Sequence, residues 1–238
     1  MTDWSSVAGE LTSLLRLDAP PIGITFSSAP PDGVDAFDEP IPDATPDGRT
    51  GRVPAGCVFW MKGAERTFTT VPEDHGNCSV GSLTHGLIDL ATAAGRADVA
   101  ALVDAGWVTE DVFPQIPVMA ERPSHITYGP LASTPVDPSV VFLRVDAKQL
   151  MTISDAVPGL RVEGKPQCHI VPLAAQHGEI AASVGCALSR VRTGMKPHEM
   201  TCAIPAVRAE EFVEALRRTV AADSTVATYA GEDKRRFS

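Results

Sequence analysis

The run Val140–Val145, Val-Val-Phe-Leu-Arg-Val, constrains this chain more than any other stretch. Successive residues of a strand face opposite sides, so an apolar run of this kind belongs to a strand buried on both faces of its sheet. Helical patterns that can supply the cover flank it. Residues 3–17 carry Val7, Leu11, Leu14 and Leu15 at helical spacing and end at Pro20-Pro21. Ala147–Val157 reads as a second helix, stopped by Pro158-Gly159, and Ala206–Ala222 as a third, with Val207, Phe212, Leu216 and Val220 along one face.

Further strands are expected at 21–26, 53–61, 66–71, 126–131, 168–173, 179–186 and 200–204. Residues 82–103 read as one helix, with Leu83, Leu87, Leu90 and Ala94 on one face, although Gly86 and Gly95 weaken it. The Pro-, Asp- and Gly-rich segment 28–50 reads as a long polar loop that shapes a site or an interface, and 72–81 as a tight loop. With no internal repeat and no clean linker, the pattern is α/β (mixed α+β). It describes a single compact domain over 1–225, with a mixed sheet and flanking helices, and a mobile tail at 226–238.

Composition narrows the function. A net charge of -10 repels phosphate backbones, and 5% aromatic residues offer little stacking surface, so nucleic acid is not an expected partner. No stretch reaches the roughly 18 apolar residues of a membrane span, and Met-Thr-Asp-Trp-Ser-Ser has neither a basic start nor an apolar h-region. The chain is therefore expected in the cytoplasm, away from membranes and as a possible homo-oligomer, with its five cysteines reduced rather than paired.

Those cysteines carry the chemistry. None forms a Cys-x-x-Cys pair, so zinc-ribbon and thioredoxin signatures are absent, and a buried core thiol is the ordinary reading of each. Context separates three of them. Cys78 lies among Gly76, Asn77, Ser79 and Gly81 just before a helix, where backbone N–H groups favour a thiolate and glycines admit a bulky inorganic group. Cys186 follows Gly185 with Arg190 beyond it, and Cys168 precedes His169. His75 and Arg190 are the candidate catalytic groups, the first as acid/base or outer-shell donor, the second as a cation for a substrate carboxylate together with Arg192. His85, seven residues after Cys78, reads as packed or solvated. Gly76–Gly81 lacks the Gly-Lys-Ser/Thr ending of a phosphate loop, and Ser79 and Ser82 lack a nucleophile elbow.

The order of these motifs resembles the ArCR-type family of unknown function (domain of unknown function number 169). The stretches that carry the resemblance are Pro-Pro-Ile-Gly-Ile-Thr-Phe, Cys57, His75…Cys78-Ser79-Val80-Gly81, Val-Val-Phe-Leu-Arg-Val, Cys168, Ser183-Val184-Gly185-Cys186-Ala187-Leu188-Ser189-Arg190 and Glu199-Met200 before Ile204-Pro205. The resemblance implies that Cys57, Cys78, Cys168 and Cys186 are recurring positions and that Cys202 is not. Four dispersed thiolates that converge would suit an iron–sulfur cluster, most simply [4Fe-4S]. Zinc, which favours close-spaced pairs, is the weaker expectation. The expected function is a cysteine-ligated metalloprotein with a cluster beside a small-molecule pocket, either an enzyme or an electron relay. The alternatives are a metal-free, thiol-based small-molecule-binding module, or an accessory protein with a structural metal.

Overall fold

In the computed structural model, residues 2–38 and 56–237 are described. In chain order the strands are β1 (Ile22–Ser27), β2 (Phe68–Thr70), β3 (His125–Pro130), β4 (Val140–Val145), β5 (Arg161–Glu163), β6 (Ala181–Ser183) and β7 (Met200–Pro205). The helices are α1 (Trp4–Leu15), α2 (Gly56–Lys62), α3 (Ser79–Thr84), α4 (Leu90–Ala94), α5 (Ala97–Asp104), α6 (Ala147–Ala156), α7 (Ile170–His177), α8 (Ala187–Thr193) and α9 (Ala209–Phe237). The strands form one mixed sheet in the order β2-β3-β1-β4-β7-β6-β5, antiparallel throughout except for the β5–β6 edge pair.

Central β4 is buried on both faces, as its composition demands. Val141, Leu143 and Val145 join Cys202 and Ile204 of β7 in a core closed by α1, α6 and α9. Val140 and Phe142 join Ala203 and Ala181 in a second core, closed by Phe59 and Trp60 of α2 and by Ile170, Val171, Leu173 and Ala174 of α7. The sheet thus has two unlike sides: long amphipathic helices cover one, and short helices and connections cover the other. Asp3 starts α1 by accepting from the Ser6 N–H, and Asp146 with Gln149 makes a reciprocal cap on α6.

Three expected elements differ. Residues around Cys57 form α2 instead of a strand; a seven-residue apolar run does not discriminate the two by periodicity, and only Val58 in it is β-branched. The expected strand at 168–173 is a helical turn, Gln167–His169, leading into α7, with Pro172 tolerated in the first turn. The expected helix at 82–103 is three short helices. Gly86 breaks it at φ +71, where a side chain would meet the Met119 carbonyl at 2.9 Å, and Asp89 caps the next helix by accepting from Thr92. α9 continues through 226–237 to Phe237. Most of the loop at 28–50 lies outside the described residues. No helix among the described residues is long and apolar enough to cross a membrane.

Candidate metal centre

Four of the five cysteines line one pocket on the second face of the sheet. Cys57 comes from the first turn of α2, and Cys78 is the extended residue that caps α3. Cys168 comes from the turn before α7, and Cys186 is the extended residue that caps α8. Cys78 and Cys186 thus occupy the same station at the start of two short helices. Gly56 and Trp60 share the pocket face of α2 with Cys57, at i, i+4 spacing, and Leu188, Ser189 and Arg192 share that of α8. Val80, Gly81, His85, Trp107, Pro166 and Gln167 complete a mainly apolar wall. All five cysteines are free thiols.

The thiols sense one another. Burial pushes Cys57 up to about 12, opposed by a hydrogen bond with Ser189 and by the Arg192 charge and reinforced by Cys78 and Cys186. Burial also raises Cys78, against the nearby Arg192 guanidinium and the Gly81 N–H. Cys168 lies well above its ordinary value through burial and then the proximity of Cys78, with the Thr84 hydroxyl opposing. Cys202 is pushed to about 12 by burial alone, because period-two alternation on β7 turns it to the α1/α6/α9 side. Burial thus favours the protonated form of Cys57, Cys78 and Cys168, beside the Arg192 guanidinium.

Neither polar candidate lines this pocket. His75 is buried behind it, its ring 4.8 Å from that of Phe59. Thr70 donates its hydroxyl proton to the Ile126 carbonyl, so the 3.0 Å contact between Thr70 and His75 Nε2 has the imidazole donating. Arg190 is a bracket: its guanidinium donates to the carbonyls of Lys196 at 2.5 Å, Val184 at 3.0 Å and Glu199 at 2.7 Å. The groups that do line the pocket are His85 and Arg192. His85 Nδ1 donates to the Gly81 carbonyl at 2.8 Å, which leaves the Nε2 lone pair buried and without a hydrogen-bond partner among the described residues. Burial lowers His85 to about 4, so it is neutral at physiological pH. The signal that separates Arg192 from Arg190, its partner in the sequence reading, is helical spacing: as a helix, 187–193 puts 188, 189 and 192 on one face and Arg190 off it. For His85 the signal is its position four residues after Gly81 at the end of α3.

No group of three or more His, Cys, Asp or Glu among the described residues is arranged to hold a single metal ion. Residues 10–215 match the family model DUF169, described as Uncharacterised ArCR. No curated protein and no solved structure matches the chain.

Proposed function

The chain belongs to this uncharacterised family, DUF169, and we propose that it binds an iron–sulfur cluster on Cys57, Cys78, Cys168 and Cys186. The observation that carries the reading is the convergence of these four thiols, from four separate segments, on one buried pocket with an arginine beside them. Four sulfur donors with no carboxylate lining the pocket suit zinc or iron–sulfur chemistry. Single ligands dispersed along the chain, rather than close-spaced pairs, favour a cluster over a structural zinc. In a cluster each thiolate serves a different iron, so the donors stand further apart.

When bound, a cluster supplies electron transfer, or a Lewis-acidic iron where one position is open to a ligand. The chain's own residues supply the rest. Arg192 offsets the negative charge of the thiolates, Trp60, Val80 and Leu188 exclude water, and the bare backbone of Gly81 leaves space beside Cys78. The unprotonated Nε2 of His85 is an acceptor for a donor on a bound small molecule.

One observation favours a second reading, a metal-free, thiol-based pocket for an apolar small molecule: the buried thiols are held in their protonated, uncharged form. Oxygen-free purification or reconstitution, followed by iron, sulfide and visible-absorbance measurements, separates the two. The cluster reading expects a brown protein with about four irons and four sulfides per chain. A colourless, iron-free protein after reconstitution overturns it.

A further inference from the structure

Beside the thiol pocket lies a second cavity of about 250 Å³, bounded by α3, α5, the segment 106–116 and the residues just before Cys168. The two share Val80, Trp107 and Pro166 as a common wall. Val99, Leu102, Val112 and Phe113 make its body apolar, and among the described residues no Asp or Glu lines it. Its one charged group is Lys165, whose ammonium stands 4.5 Å from the centroid of the Trp107 ring, a cation–π contact that holds it at the cavity. The nearest acidic residue in sequence, Glu163, is already engaged by Arg161. Among the described residues no carboxylate pairs with Lys165. In a chain of net charge -10, a cation resting on an aromatic ring at the mouth of an apolar cavity, with no carboxylate partner among the described residues, is complementary to an anionic ligand.

We propose that this cavity binds a small aryl or branched-chain carboxylate, with the apolar body among Val99, Leu102, Val112 and Phe113 and the carboxylate on Lys165. Size supports the class: apolar cavities of about 150 Å³ accommodate a benzene ring, so this one has room for a ring and a short acidic arm. Chemistry supports it as well, since burial of the body supplies affinity and one charged contact supplies orientation. The inference goes beyond the cluster reading and does not require it, although the shared wall places the bound acid next to the thiols.

The test is a fluorine NMR titration of the protein as isolated, iron content measured on the same sample, with 4-fluorophenylacetate and the neutral 4-fluorophenylacetamide. The acid should bind saturably, and the amide about fivefold more weakly or worse, the scale of one partly exposed ion pair. Lys165→Met should remove that difference while leaving amide binding unchanged. Val112→Phe, which fills the cavity, should weaken both ligands, with circular dichroism confirming that each variant is folded. Equal binding of acid and amide by the native protein, an acid affinity untouched by Lys165→Met, or no saturable binding of the acid at millimolar concentration would each overturn the proposal. Because binding is read on the ligand and the cluster by iron analysis, either reading can fail without the other.

Discussion

Gly185→Ala should be disproportionately damaging for a one-methyl change. Gly185 sits at φ +112 in the turn that carries the chain from β6 to Cys186, a conformation that L residues avoid. Forcing alanine into it costs on the order of 1–3 kcal/mol. The methyl would also stand 2.8 Å from Arg190 Nη2 and 3.2 Å from Nε. A long side chain normally swings away cheaply, but this one is pinned by the carbonyls of Val184, Lys196 and Glu199. Losing one or two of those charge-assisted bonds, discounted for partial exposure, adds about 1–2 kcal/mol. The expected total is about 2–5 kcal/mol, read as a shift of the urea midpoint followed by circular dichroism. Repeating the substitution in an Arg190→Met background isolates the collision: the strain remains and the rest disappears, so the cost there should fall to about 1–3 kcal/mol. Because Cys186 follows directly, iron loading should drop in the single variant. A cost below about 1 kcal/mol, or an equal cost in both backgrounds, would refute the reasoning.

Glu199→Gln should destabilise the protein by about 1–3 kcal/mol at neutral pH, because the carboxylate pairs with the Arg144 guanidinium and accepts from the Lys196 N–H at 2.6 Å. Burial alone would raise Glu199, but the Lys196 N–H and Arg144 hold it below its ordinary value. A depressed carboxylate contributes stability above its unfolded value and loses it as pH falls through the folded one, so native and variant midpoints should converge in acid; a gap that stays constant to low pH would count against the pair. Serine at Cys57, Cys78, Cys168 or Cys186 should lower bound iron, whereas Cys202→Ala, on the opposite face, should leave it unchanged; iron analysis of the five variants decides. Under the proposed cluster reading, Arg192→Met should move the reduction potential of the reconstituted protein to more negative values, measured by redox titration, while Arg190→Met should act on stability, and an unshifted potential would remove Arg192 from the site's electrostatics. Leu216→Ala, fully buried between α9 and the sheet, should cost about 2–5 kcal/mol in chemical unfolding without loss of iron.

The double-sided burial of β4, the amphipathic faces of α1, α6 and α9 and the resulting α/β sandwich were legible in the chain itself, because burial writes a period of two or 3.6 directly into residue order. Local context in the chain marked Cys78, Cys168 and Cys186, while the inclusion of Cys57 and the exclusion of Cys202 came from the resemblance in the order of motifs. The short elements around the pocket were not legible. A seven-residue apolar stretch such as Gly56–Lys62 satisfies helix and strand alike, and what makes it helical is the contact it forms with β3 and α8 across the second face. The choice of polar partners followed from the same ambiguity: with α8 helical, Arg192 turns to the thiols and Arg190 turns to three carbonyls, and with α3 ending at Thr84, His85 rather than His75 reaches the wall. Sequence spacing sets which residues can share a face of an element. Which face meets the pocket is decided by long-range packing, where segments more than a hundred residues apart are brought together by the order of strands in the sheet.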